Sequence, residues 1–450
     1  MARLYPDQQV LVVGLGKSGA ASVRYLAREG ARLTLTDSRA VPPGIEELRA
    51  FAPDAQLHLG AFAAAEPLSQ YAFAVLSPGV PLNDPFVEKL RSAQVELIGD
   101  IELFARAIAQ GGGTPVIGIT GSNGKSTVTT LVGAMAQAAG VRVSVGGNLG
   151  TPALDLIDDA CELYVLELSS FQLETTDSLK LIAATMLNIS PDHLDRHGSL
   201  ARYIAAKARI YAHANTAVVN RDDQATHTQT HTARHIVSFG LDAPSAGHYG
   251  LLDIGSETHL AVGSEACLPI TALKLQGLHN VANALAALAL ADAAGVDRAG
   301  SLRALREFRG LPHRCEWVAD QGGVTWINDS KGTNVGATLA ALQGLNGPLV
   351  WLGGGQGKGQ DFSALRAPLQ AKARAAIVFG QDAERIASEL GRGIAIERVA
   401  DLPEAMTLAR RLAQPGDRVL LSPACASLDQ FRNYEERGAQ FRALAQQVAA

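Results

Sequence analysis

The chain has 450 residues, 47% of them hydrophobic and 18% charged, with a formal net charge of −5. At roughly 150 residues per domain this length predicts about three domains, and the composition excludes a disordered chain. The slight negative charge excludes a global basic field for nucleic acid or an anionic membrane, so anions must be held by local sites.

The first stretch, MARLYPDQQVLVVGLGKSG, reads as a buried strand and a glycine turn, without the cleavage pattern of a signal peptide. AASVRYLAREG then reads as a helix ended by Gly30, and RLTLTD as the next strand, which makes a βαβ unit with a parallel sheet. FAVLSPG and VELIGD continue the pattern, and QGGGTP at 110–115 reads as a flexible linker. PVIGIT restarts as a strand, STVTTLVGAMAQAAG reads as a helix, and ELYVLELSS as another buried strand. The less regular stretch at roughly 215–275 is expected to hold extra β-structure, and a second boundary falls near FRGLPHR at 308–314. Beyond it VTWINDS, GPLVWLGGG, AAIVFG and DRVLLSP start new strands. The expected fold is α/β with three domains at 1–110, 111–310 and 311–450. The first and last are Rossmann-like, and the central one is P-loop ATPase-like with a mostly parallel sheet.

Four cysteines, Cys161, Cys267, Cys315 and Cys425, are scattered without a C-x-x-C pair. That argues against a disulfide framework or a zinc site and suits a reducing cytoplasm. No apolar run reaches the ~18–20 residues of a membrane span.

ITGSNGKST at 119–127 has the form of a phosphate-binding loop, G-x-x-x-x-G-K-[ST], except that Ile119 stands where the first glycine belongs. Its place between an apolar strand and a Ser/Thr-led helix makes it an anion site. Lys125 would reach the terminal phosphates and the Ser126 hydroxyl would ligate Mg²⁺. GLGKSG, with Gly14, Gly16 and Gly19, followed by Asp37 at the end of the next strand, reads alone either as a dinucleotide fingerprint or as a plain tight turn. Glu167, at the carboxyl end of LYVLELSS, stands where a metal-binding acid belongs, or else caps the following turn. SPDHLDRHGS places Asp192, His193, Asp195 and His197 in a polar loop just before YIAAKARIY, where Lys207 reads by default as a solvated helix residue. A special role for Lys207 would require a depressed pKa. WINDSKGTNVGAT offers Asp329, Lys331 and Thr333 at a strand end. LGGGQGKGQDF offers Lys358, and LLSPACASLDQFRNYEERG is a strand, a polar turn and a helix opening at Ser427. Together these place hydroxyls and lysines at the carboxyl edge of one sheet, the usual ligand edge.

TGSNGKST, LELSSFQL, the DHLDRH loop, YIAAKARIY, LHNVANALAA, GLPHR, NDSKGTN and SPACASLDQF, in this order, resemble the Mur ligases of peptidoglycan synthesis, over essentially the whole chain. The resemblance implies ATP-driven amide formation through an acyl phosphate, with UDP-N-acetylmuramoyl-L-alanine and D-glutamate as substrates, in a cytoplasmic monomer with no nucleic-acid or membrane partner. It implies that the loop Gly121, Ser122, Asn123, Gly124, Lys125, Ser126 and Thr127 holds the ATP phosphates, and that Asn283, Arg314 and Asp329 contact the nucleotide. It implies one Mg²⁺ on Ser126 and Glu167, and a second on His193 and a carbamylated Lys207, since carbamylation gives a lysine the oxygen a hard cation needs. Leu15, Lys17, Asp37, Ser38 and Arg39 match the uridine diphosphate site, which displaces the dinucleotide reading, and Asn148 matches a substrate position. Lys331, Thr333, Lys358, Ser427, Leu428 and Tyr434 match positions around the incoming glutamate, Tyr434 adding a hydroxyl where some members have phenylalanine.

Overall fold

The computed structural model describes residues 3–275, 277–345 and 347–447. Apolar runs followed by glycine turns become strands, and the Ala/Leu-rich stretches between them become the crossover helices that parallel pairing requires. The first sheet holds β1 (Gln9–Val13), β2 (Arg32–Asp37), β3 (Gln56–Leu59), β4 (Phe73–Leu76) and β5 (Glu96–Gly99), ordered β3-β2-β1-β4-β5. All its pairings are parallel. The helix after the GLGKSG turn starts at Lys17 rather than at the alanines, so the turn's second half is already the helix's first turn.

The central sheet holds β6 (Val116–Thr120), β7 (Val143–Gly147), β8 (Leu163–Glu167), β9 (Leu181–Met186), β10 (Ala214–Asn220), β11 (His235–Phe239), β12 (Tyr249–Ile254), β13 (Glu257–Val262) and β14 (Glu265–Pro269). Its order is β14-β13-β12-β11-β10-β9-β6-β8-β7. The irregular stretch near 215–275 is its edge, where the last three strands pair antiparallel. The third sheet holds β15 (Glu316–Gln321), β16 (Val324–Asn328), β17 (Leu349–Gly354), β18 (Ala373–Phe379), β19 (Ile396–Arg398) and β20 (Arg418–Leu421), ordered β15-β16-β20-β17-β18-β19. Only its first pair is antiparallel among the described residues.

The first and central sheets share one apolar core. Leu15, Ile101 and Phe104 pack in the same cluster as Tyr164, Leu166 and Leu173, and the Phe104 and Tyr164 rings meet edge to face at 5.2 Å. Polar contacts lock the same seam: Arg24 pairs with Asp155 at 2.5 Å, and Glu102 accepts from the Asp177 and Ser178 backbones at 2.8 Å each.

In the third unit the helix does not open at Ser427. Residues 427–433 stay in turns, and the helix runs Tyr434–Gln446, capped by Asn433, whose side chain accepts from the Glu436 N–H. Pairing of Gln356 with Ala426 holds the preceding segment extended, which leaves no room for a helical start there. This helix packs so closely that a Cβ on Gly438 would lie 2.1 Å from His313 Nδ1. Gly438→Ala is therefore expected to destabilise the protein by about 1–3 kcal/mol in denaturant unfolding. An unchanged midpoint would mean that the contact relaxes freely.

Candidate active site

The carboxyl ends of β9, β6 and β8, adjacent and parallel, gather the central residues at one edge. Ile119 lies inside β6, fully buried and paired with Glu167 and Thr185. The position of the missing glycine is thus strand rather than loop, and the turn proper begins at Gly121. Gly124 takes φ +83 to start the helix Lys125–Ala138, and a Cβ there would meet Asn283 Oδ1 at 2.6 Å. The Lys125 ammonium curls back over the loop, donating to the Gly121 and Ser122 carbonyls at 2.9 Å each. Two residues that sequence reasoning missed pin the loop from the β9 exit. Asn188 accepts from the Asn123 N–H at 2.9 Å, and Ser190 donates its N–H to Ser122 Oγ at 2.9 Å. The Asn and Ser of LNIS, directly after an apolar strand, were their only sequence signal.

Ser126 Oγ donates to Glu167 Oε2 at 2.6 Å, and Asn148 Nδ2 donates to Glu167 Oε1 at 2.7 Å. Arg314 reaches across from the third unit to donate to Ser126 Oγ at 2.6 Å. Burial pushes the Glu167 carboxyl up, but the Lys125 ammonium, the Ser126 and Asn148 hydrogen bonds and the Arg314 charge outweigh it and hold the group below its ordinary range. Burial and the Arg314 cation lower Lys125, against the pull of Glu167.

Lys207 is not the solvated helix residue its surroundings in sequence predict. Helix Leu200–Ala208, capped by Ser199, turns it inward until it is 2% exposed. Its Nζ donates to Gly121 O at 2.9 Å and Thr120 Oγ1 at 3.3 Å and lies 4.8 Å over the Tyr203 ring. Burial, helped by the Lys125 charge, drives its pKa well below the ordinary lysine value. The His193 side chain stands 49% exposed on its own loop, edge-on to Phe171 at 5.0 Å, with φ +51.

At the first sheet the two Asp37 oxygens are committed inside the protein. Leu15 N–H donates to Oδ2 at 2.7 Å, and Arg39 donates from its backbone and guanidinium at 2.7–2.8 Å. Desolvation of Asp37 is outweighed by these bonds, and its pKa falls. These bonds tie Asp37 to the turn, and it also lines the cavity beside it. Lys17, Ser38 and Arg39 line a cavity that runs on to Gly147 and Asn148, and so towards Glu167.

A second cavity, of 510 Å³, lies between the central and third units and is lined by Asn123, Gly124, Asn283, Arg314, Asp329 and Lys331 among others. Asp329 is buried, accepting from Ser422 Oγ at 2.7 Å and Cys315 N–H at 3.1 Å, and burial raises its pKa to about 6. Lys331 lies 4.0 Å over the Tyr434 ring. Burial, with the Arg314 and Lys125 charges, lowers its pKa to about 8. Thr333 N–H bonds the Lys331 carbonyl at 2.8 Å and Ser427 is buried. Lys358 is exposed, and Leu428 is 61% exposed; neither lines this cavity.

The chain matches the Mur ligase MurD-like N-terminal domain over 8–99, the Mur ligase middle domain over 119–291 and the Mur ligase glutamate ligase domain over 313–425. It is 52% identical to the UDP-N-acetylmuramoylalanine--D-glutamate ligase of Methylobacillus flagellatus, over 97% of this chain and 96% of that protein. It is 50% identical to the ligase of the same name from Nitrosococcus oceani, over 97% and 96%. The chain belongs to the Mur ligase family. Among solved structures, this Mur ligase resembles MurF of Acinetobacter baumannii with a TM-score of 0.62 at 20% identity, covering 98% of this chain and 92% of that one. It resembles MurC of Thermotoga maritima with a TM-score of 0.61 at 21% identity, covering 98% and 99%. These two likenesses are of fold. No helix among the described residues is long and apolar enough to cross a membrane.

Two of this Mur ligase's side chains fit a hard divalent cation. Ser126 and the ionised Glu167 present oxygens beside the phosphate loop. The other pair named from sequence fits less directly, because Lys207 presents a nitrogen and His193 faces outward. Among the described residues no group of three or more His, Cys, Asp or Glu side chains forms a metal cluster.

Proposed function

We propose that this Mur ligase joins D-glutamate to UDP-N-acetylmuramoyl-L-alanine at the expense of ATP, acting as a monomer in the cytoplasm. The observation that carries the reading is the buried Ser126–Glu167 pair. It sits between the Lys125 loop and a cavity leading to the first sheet, with Arg314 closing from the third unit. In this scheme residues 1–110 bind the UDP-substrate through Leu15, Lys17, Asp37, Ser38 and Arg39, with Asn148 added from the central unit. Residues 111–310 bind ATP through 121–127 and Asn283. Residues 311–450 supply Arg314 and Asp329 to the nucleotide and Lys331, Thr333, Lys358, Ser427, Leu428 and Tyr434 to the amino acid.

The alanyl carboxylate takes the γ-phosphoryl group of ATP, leaving ADP and an acyl phosphate. The glutamate nitrogen, having lost a proton, attacks the acyl carbon, and the tetrahedral adduct collapses with loss of inorganic phosphate. Lys125 and Arg314 hold the phosphates and neutralise the charge spread over the transferring group. Approach of the third unit excludes water from the acyl phosphate. Mg²⁺ bound at Ser126 and Glu167, and a second ion at His193 and a carbamylated Lys207, would supply further charge neutralisation at the phosphates. Burial lowers the Lys207 pKa and so favours its neutral amine, the form that reacts with carbon dioxide.

The test is phosphate release from ATP and UDP-N-acetylmuramoyl-L-alanine with single amino acids. Release with D-glutamate is expected; release only with a different acceptor would overturn the assignment. The pH profile offers a separate check. Because Lys331 titrates at about 8 in the free protein, its cation is lost as pH rises through that value. The basic limb of kcat/KM is expected to fall there, and Lys331→Arg to move that limb upward.

A further inference from the structure

Arg437 is a buried cation that the scheme above leaves unused. It lies on the helix Tyr434–Gln446 and is 0% exposed. Among the described residues its hydrogen-bond partners are a hydroxyl and backbone carbonyls, with no carboxylate among them. Nε donates to Ser330 Oγ at 3.0 Å, and Nη2 donates to Ser330 O at 2.8 Å and to Cys425 O at 3.1 Å. Nη1 points at Gly354 O at 3.5 Å. The neighbouring Glu436 is committed elsewhere, paired with Arg432 at 3.1 Å. Ser330 Oγ in turn donates to the carbonyl of Tyr434, at the start of the same helix.

Burying a guanidinium without an ion-pair partner is costly, and an apolar side chain of similar volume would fill the space more cheaply. What an arginine alone supplies is a rigid fork of donors able to reach several acceptors at once. Its acceptors lie at the end of β17 and on the loops that leave β16 and β20. Ser330 precedes Lys331, Gly354 opens the loop bearing Lys358, and Cys425 lies just before Ser427. The loops are also laced to one another, since Gly354 N–H donates to Pro423 O and Ala424 N–H to Gly332 O.

We propose that Arg437 is the positioning residue of the amino-acid pocket, clamping these three loops from beneath so that Lys331, Lys358 and Ser427 meet the incoming acceptor in one arrangement. The inference rests on the reading of residues 311–450 as the acceptor unit. It makes the clamp specific to one substrate: loosening it displaces the amino-acid groups while the loop at 121–127 and the turn at Leu15–Arg39 stay in place.

Steady-state kinetics of Arg437→Met and Arg437→Lys test this, with folding checked by circular dichroism. Arg437→Met keeps the bulk, and Arg437→Lys keeps the charge but not the fork. Both are expected to raise KM for D-glutamate by about tenfold or more, while KM for UDP-N-acetylmuramoyl-L-alanine stays within about twofold. Ser330→Ala removes one acceptor and leaves the arginine in place; it is expected to shift the same KM in the same direction and decides the matter if the arginine variants do not fold. An unchanged acceptor KM in a folded variant, or equal rises for all substrates, would overturn the proposal. Wild-type protein with no D-glutamate turnover would instead overturn the functional reading beneath it.

Discussion

Lys125→Ala is expected to lower phosphate release by about 10³-fold while leaving the fold intact. The loop is held by groups other than the lysine side chain: Asn188 and Ser190 bond its backbone and Ser122, and Gly124 fits against Asn283. Among the described residues the ammonium itself bonds only loop carbonyls, contacts it would exchange for phosphate oxygens in the proposed scheme. Loss of one preorganised cation from a water-poor site costs about 10²–10³-fold where charge develops in the transition state, and this one also helps hold Glu167 ionised. Glu167 should titrate higher in the variant, because the largest influence lowering it is gone. Near-normal phosphate release would show that the loop is not where ATP is cleaved.

The second large effect is expected at Lys207. Lys207→Ala should be nearly inactive, yet partly recovered by a high concentration of a short carboxylate such as acetate. The native amine is buried beside Gly121 and Thr120, at the foot of the phosphate loop. Once carbamylated it would present an oxygen anion there. Acetate supplies that oxygen without the tether, so recovery is incomplete and rises with concentration. The substitution removes methylene packing, a cost of about 2–5 kcal/mol of stability, but also removes a buried amine that folding must desolvate. Wild-type activity in this variant would leave Lys207 a structural residue. Inactivity without recovery, in a folded protein, would mean that the lysine acts in some form other than a carboxylate-like one.

Much of the site was legible because local sequence reports local geometry. A strand running into glycine, lysine and serine at a helix start has few other uses, and Glu167 at the end of the neighbouring strand followed from the alternation of strands and helices. What stayed hidden depends on how distant segments meet. Lys207 reads as a surface helix residue until β6 and its loop close over it. Arg314 reaches Ser126 from another unit, a contact that no spacing encodes. Arg437, set among glutamates in YEERG, looks like one more surface charge, and only the assembled third sheet shows it enclosed. The misplaced helix start at Ser427 has the same origin. The seven residues before Tyr434 favour turns weakly, and the pairing of Ala426 with Gln356 decides the outcome.

The apolar seam between the first two sheets limits how the chain can be divided. The glycines at 111–113 look like a hinge at which a protease or an engineer could separate two self-sufficient halves. Cleavage there would strand Ile101 and Phe104 on one fragment and Tyr164, Leu166 and Leu173 on the other, each with an open oily face. The two sheets therefore keep or lose their folds together, and the GLGKSG turn and the loop at 121–127 stand on one shared apolar floor.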